Sequence, residues 1–255
     1  MKHSFLDKYS DLNSLIHRLD ARVKIISCLA YIFFVILTLP DRLPEFAGYF
    51  SLIFILILLS RVPIGYILKR SLVILPFVIL VAAFLPFFKE GKVAGSWSIG
   101  ALSLTITYGG LSIFWNVLIK SYLAILSLTL FSSTTKFPEF LKALEKLYIP
   151  KILIILLSFM YRYIFVLIDE AQRMEQARRA RYFGRNYLRQ VRVFANMIGL
   201  LFIRTYERAE RVYQSMRARC FDGEILTLNR LCLGRMDIVY LATFIGLLGA
   251  IKLWK

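Results

Sequence analysis

A chain of 255 residues with 58% hydrophobic side chains, a net charge of +17 and a mean hydropathy of +0.65 is too apolar for an ordinary soluble domain. A basic excess beside long apolar runs points to a polytopic membrane protein with basic cytoplasmic parts. The apolar runs separate the basic regions, which argues against nucleic-acid binding, where aromatic residues would mix with lysine and arginine in a flexible segment. Cys28, Cys220 and Cys232 show neither metal-ligand spacing nor a disulfide framework. The last two fall in a part of the chain expected in the reducing cytoplasm. No cleavable signal peptide is visible, because polar and charged residues precede the first apolar run and Pro40-Asp41 follows it.

Residues 1–24 are mixed and basic and read as a short amphipathic helix on the membrane surface, with Leu12, Leu15, Ile16 and Leu19 at helical spacing. The first candidate span, 23–39, is short for a membrane helix, and Arg22 and Lys24 are expected to snorkel from its start. Pro40 to Pro44 make a turn. The second span covers 46–60 and ends at Arg61 and Pro63. The third covers 71–88, opened by Lys69 and Arg70, with Pro76 and Pro86 inside it. Lys89–Tyr108 is the longest polar connection, rich in glycine and serine. The fourth span covers 108–131 and contains Asn116 and Lys120, which at that depth either face the bundle or snorkel.

Lysine and arginine crowd the N-terminus, the Arg61–Arg70 loop and the region from Lys136 to Arg235, whereas residues 40–45 and 89–108 are poor in them. The positive-inside rule therefore puts the N-terminus in the cytoplasm. Four crossings return the chain to the cytoplasm at Ser132. A last apolar run, within 236–255, crosses once more. The fold class expected is an all-α polytopic membrane protein with about five transmembrane helices and a cytoplasmic helical module at 132–235.

That module opens on Ser132-Ser133-Thr134-Thr135 and Lys136-Phe137-Pro138-Glu139, which reads as a hydroxyl cap, an early proline and a first-turn acid, with Pro150 as the stop. Ile152–Ile168 is apolar enough to span a membrane. Arg162 interrupts it and basic segments flank it, so an intracellular helix buried against its neighbours is expected. From Asp169 to Arg235 there are fourteen arginines and no lysine. Ile198, Leu201, Thr205, Ala209, Val212 and Met216 share one helical face and read as core, and Glu207 can pair with Arg211 at i,i+4.

Chemistry of other kinds is missing from the sequence. No phosphate-binding glycine loop, nucleophile signature or metal-ligand cluster is present, and the histidines, His3 and His17, lie near the N-terminus. No catalytic residue, cofactor site or metal site is expected. The distinctive feature is a pair of echoing phrases, Ala180-Arg181-Tyr182-Phe183-Gly184 and Ala218-Arg219-Cys220-Phe221-Asp222-Gly223. Arg181 and Arg219 each end a helical segment, where the dipole favours a cation. Each is followed by a glycine that lets the chain turn away. Two such plugs imply two similar sockets on partners. Binding of anionic lipid by the arginines is the other reading.

The order Thr134-Thr135, Pro138-Glu139, Leu144, Pro150, then Tyr161-Arg162-Tyr163 with Asp169-Glu170-Ala171, then the two arginine phrases with Tyr206-Glu207-Arg208-Ala209 and Met216-Arg217 between them, resembles the transmembrane T component of energy-coupling factor transporters. The CbiQ-type cobalt transport permease is the closest subgroup. The resemblance covers roughly residues 15–250. It implies Ala-Arg-Gly-type motifs on Ala180, Arg181 and Tyr182 and on Ala218, Arg219 and Cys220, with Arg178, Arg179 and Arg217 as secondary contacts. The third position departs from glycine in both. It further implies a non-catalytic scaffold in a prokaryotic cell membrane, docked on two ABC ATPases in the cytoplasm. That scaffold holds a membrane-embedded, CbiM-like S component in the lipid bilayer for cobalt uptake; nickel or a vitamin is the alternative substrate. A different class, an intramembrane enzyme acting on an anionic lipid-linked substrate, would need a polar catalytic cluster beyond Asn116 and Lys120.

Overall fold

The computed structural model describes residues 9–10, 12, 14–39, 42–84, 93–99, 102–181, 187–223 and 233–253. In chain order the elements are α1 (Ala21–Ile36), α2 (Leu43–Ser60), α3 (Ile64–Ala82), β1 (Val93–Ile99), β2 (Leu102–Thr107), α4 (Tyr108–Thr134), α5 (Phe137–Lys146), α6 (Lys151–Arg181), α7 (Tyr187–Ala218) and α8 (Arg235–Leu253). The chain forms two compact units. One comprises Lys2–Ala143 with Leu231–Lys255, and the other Leu144–Arg230.

The expected helical membrane architecture is present. Four helices, α3, α4, α6 and α8, are long and apolar enough to cross a membrane, and α2 is a shorter apolar helix. The third element starts earlier than expected, at Ile64, so Lys69 and Arg70 lie inside α3 rather than before it. Arg70 reaches back one turn to donate to the Tyr66 hydroxyl at 3.1 Å. The Lys89–Tyr108 connection contains an antiparallel β1–β2 pair, with Trp97 opposite Leu104 and Ile99 opposite Leu102. Pro40, Asp41 and Pro86 lie outside the described residues.

The first unit is built on α4, which packs against α1, α2 and α3, while α8 packs against α1 and α2. Tyr31, Tyr49, Ile53, Ile67, Leu123 and Leu248 are fully buried at its centre. The Tyr31 hydroxyl donates to the Tyr49 carbonyl at 3.1 Å, and the two rings meet edge to face at 6.1 Å. Gly48 lets α2 approach α8: a Cβ there would lie 3.1 Å from Ile251 Cγ2.

Two lysines are spent on backbone carbonyls. Lys24 does not snorkel. It is 4% exposed, and its Nζ donates to His17 O and Thr134 O, each at 3.0 Å. Beside it, Asp20 caps α1 by accepting from Arg22 N. Asp237 accepts from Asp20 N at 3.0 Å and from Gly234 N at 2.8 Å. This buried polar cluster joins the start of α1, the end of α4 and the start of α8. Lys120 faces the bundle: its Nζ donates to Ile36 O at 2.9 Å and Thr38 O at 2.6 Å. It thereby satisfies carbonyls that the end of α1 leaves open.

Two expectations at helix starts fail for the same reason. Residues 14–19 form turns rather than a surface helix, because Ser14 Oγ bonds His17 Nδ1 at 2.7 Å and accepts from His17 N. His17 Nε2 also meets Tyr9 O at 3.0 Å. Burial pushes the His17 pKa below the usual histidine value. The hydroxyls before α5 do not cap it either. Ser133 and Thr134 donate back to Thr129 O and Leu130 O, finishing α4, and Lys136 O accepts the first bond of α5 from Phe140 N.

Candidate functional site

The second unit is a pair of long helices. α6 has 31 residues and α7 has 32. They run antiparallel, as three contacts in order along them establish. The Arg178 guanidinium lies 4.5 Å from the Phe194 ring centre. Arg204 donates to Glu170. Further on, Phe159, Met160 and Tyr163 face Ala209, Val212 and Met216 across a groove of about 380 Å³.

Each helix is apolar in one half and charged in the other, and the antiparallel pairing sets unlike halves side by side. The charged end of α6 and the apolar start of α7 form a second groove, of about 720 Å³. Arg173, Arg178 and Arg181 line it from α6, opposite Val193, Met197 and Arg204 of α7.

Ile152–Ile168 is not buried, contrary to expectation. Ile152 is 68% and Leu156 58% exposed, and Ile154 is the only buried residue of α6 among those described. The segment is apolar on nearly every side, and one neighbouring helix covers only one stripe. Ile198, read as core, is likewise 69% exposed, whereas Thr205, Ala209, Val212 and Met216 do line the groove. Glu207 and Arg211 do pair, at 3.8 Å on the exposed face.

The two arginine phrases lie at opposite ends of this hairpin. Arg181 is the last residue of α6 and shares its groove with Val193. The stretch of α7 from Val193 to Ala218 spans roughly 38 Å at about 1.5 Å per residue, and Arg219 follows it. Ala180, Arg181, Arg217, Ala218, Arg219 and Cys220 are all exposed. Tyr182 and Gly184 lie outside the described residues.

The two secondary arginines of the first phrase are already engaged. Arg178 donates to both oxygens of Glu175 at 2.7 Å, and Arg179 to one at 2.8 Å. Hydrogen bonds from Arg178 and then Arg179 hold the Glu175 carboxyl down to about 2. Arg217 lies 5.9 Å over the Tyr213 ring. Neither Arg181 nor Arg219 has a side-chain ion-pair partner among the described residues.

The local chain explains how Arg219 is presented. Cys220 N donates to Arg217 O at 3.0 Å and Phe221 N to Met216 O at 3.1 Å, the bond pair of a Schellman ending. The left-handed residue is Cys220, at φ 56°. The turn thus comes three residues before Gly223, which also has positive φ. Phe221 folds back beside Met216 in the apolar groove, the hydrophobic contact that accompanies this ending. Tyr148, at φ 65°, is the left-handed residue after α5, where Ile149 N donates to Leu144 O at 3.3 Å. The third position of the second motif is therefore one that glycine would fill without strain.

Residues 12–228 match the family described as "Cobalt transport protein", CbiQ. The energy-coupling factor transporter transmembrane protein EcfT of Ruminiclostridium cellulolyticum is 27% identical over 86% of this chain and 84% of its own length. EcfT of Listeria innocua is 28% identical over 88% and 86%. A putative fused cobalt transport protein, CbiMQ, of Methanocorpusculum labreanum is 37% identical over 49% of this chain and 21% of its own length. With the family match covering most of the chain, apolar helices that fit a multi-pass membrane protein and the arginine-ended hairpin, the chain belongs to the CbiQ family of energy-coupling factor transporter T components.

Proposed function

We propose that the α6–α7 hairpin is the coupling element of this T component, with Arg181 and Arg219 as its two contacts on a pair of ABC ATPases in the cytoplasm. The observation that carries this reading is the placement of two exposed, arginine-bearing helix ends at opposite ends of one hairpin. A spacing of roughly 38 Å along α7 suits two separate subunits better than one. A permanently charged, planar guanidinium suits a carboxylate in a partner's groove, and Arg181 and Arg219 are the arginines of the two phrases not drawn to Glu175 or an aromatic ring.

In this reading the chain is a non-catalytic subunit of an ATP-driven importer in a prokaryotic cell membrane, and ATP hydrolysis belongs to the partners. The bundle of α1 to α4 and α8 anchors the hairpin, with the N-terminus cytoplasmic as the basic segments favour. Motion of the ATPases passes through the hairpin to a membrane-embedded, substrate-binding S component resembling CbiM. Cobalt is the substrate proposed, on the family description and the fused cobalt transport relative. The test is purification of this chain with its partners from the native host in mild detergent, followed by protein identification and cobalt uptake by the reconstituted assembly. Co-purifying ATPases and cobalt uptake support the reading. An assembly that carries nickel or a vitamin overturns the substrate, and a chain that purifies without ATPases overturns the coupling role.

A further inference from the structure

The bundle carries a basic feature of its own. A groove of about 340 Å³ is lined by Ser14, Leu15 and Arg18 from the N-terminal turns and by Leu58, Leu59 and Arg61 from the end of α2. No carboxylate lines it among the described residues. We propose that this groove binds an acidic phospholipid, its phosphate held between Arg18 and Arg61 and an acyl chain lying along Leu58 and Leu59.

The groove lies at the end of an apolar helix. From Phe46 to Ser60 α2 carries no charge, and Arg61 is the first charge after it. In a membrane-spanning chain the border between hydrocarbon and headgroups falls at such a change. Leu58 and Leu59 are 53% and 45% exposed on the apolar side of that border. A ligand that touches all four residues needs an anion at one end and hydrocarbon at the other.

The two arginines are also preorganised. Both arginine side chains are exposed, but their backbones are fixed by buried neighbours. Arg61 stands at φ 57°, with its N–H on Leu58 O. The fully buried Ser60 braces that turn, donating to Ile57 O at 2.8 Å and accepting from Val62 N at 3.3 Å. Arg18 N donates to Ser14 O at 3.3 Å, and Ser14 is itself buried and bonded to His17. Two segments distant in sequence thus bring two arginines and the leucines of α2 to one groove. Guanidinium is the group that grips phosphate oxygens bidentately, and basic pockets at the ends of membrane helices are suited to anionic headgroups.

The full chain in mild detergent would be titrated with dioleoylphosphatidylglycerol or dioleoylphosphatidylcholine, with bound lipid counted by native mass spectrometry and thermal unfolding followed in parallel. Wild type is expected to retain phosphatidylglycerol in preference to phosphatidylcholine. The double variant R18Q/R61Q is expected to bind phosphatidylglycerol roughly 30-fold more weakly, at about fivefold for each arginine. A charge-matched control at exposed arginines elsewhere, R70Q/R235Q, should keep the preference. Equal binding of the two lipids by wild type, or an equal loss in the control, overturns the site. Full stabilisation by glycerol 1-phosphate alone overturns the lipid in favour of a plain phosphate site.

Discussion

The two units use basic side chains in opposite ways. In the bundle, the buried Lys24 and the half-buried Lys120 bond carbonyls of other elements. In the hairpin, arginines line open grooves and helix ends, and little is buried among the described residues. A buried ammonium that satisfies backbone oxygens is structural, because its removal leaves polar groups without water. An exposed guanidinium contributes little to folding and is available to a partner. The difference teaches that charge count alone does not mark function in this chain; the surroundings of each charge do.

The largest stability effect should come from the bundle. Lys24→Met removes a cation shared by two carbonyls and set among Asp20 and Asp237, and it should cost about 3 kcal/mol. Thermal unfolding in detergent would read this as a fall of roughly 10 °C. Lys120→Met loses two bonds at the end of α1 and should cost about 1–2 kcal/mol. If either variant unfolds like wild type, the lysine is not structural and the contrast fails.

Smaller effects sharpen the comparison on the hairpin side. Cys220→Gly should stabilise the end of α7 by about 1 kcal/mol, since glycine adopts the left-handed conformation without the penalty borne by other residues. Hydrogen exchange at the last turn of α7 would read it as stronger protection; unchanged or weaker protection would contradict the strained ending. Acid should act first on the bundle. The folded His17 pKa lies below the unfolded value, so the stability it contributes is present above about pH 6.5. That stability is lost as pH falls through the folded value. His17→Gln should flatten the pH dependence of unfolding between pH 7 and 5, and an unchanged profile would show that another group carries it.

Much of this was legible in the chain. Long apolar runs gave α2, α4 and α8 nearly their full extents, because hydrocarbon demands continuous apolarity. The start of α3 was not legible, since Lys69 and Arg70 read as a border although a helix can carry charges near its end. The burial of Lys24 is not legible for a related reason: sequence shows a basic residue near a span border but not which face of α1 the bundle covers. The β1–β2 pair had a signal, the alternation Leu102, Leu104, Ile106 against Ser103, Thr105, Thr107, which the general polarity of the connection obscured. At the candidate site, the phrases ending in Arg181 and Arg219 stood out by repetition. Their placement at opposite ends of one hairpin depends on α6 pairing antiparallel with α7. The clamp of Arg178 and Arg179 on Glu175 depends on rotamers that spacing does not reveal.

The central claim is that Arg181 and Arg219 are the two coupling contacts, and charge reversal tests it most directly. Purified ATPases would be added to wild type, to R181E, R219E and R181E/R219E, and to R178E/R179E, with assembly measured by size-exclusion chromatography and coupling by ATP-dependent cobalt uptake. The account predicts that each single reversal weakens assembly or uptake, that the double reversal abolishes both, and that R178E/R179E does less than R181E alone. A double variant that assembles and transports like wild type would contradict it.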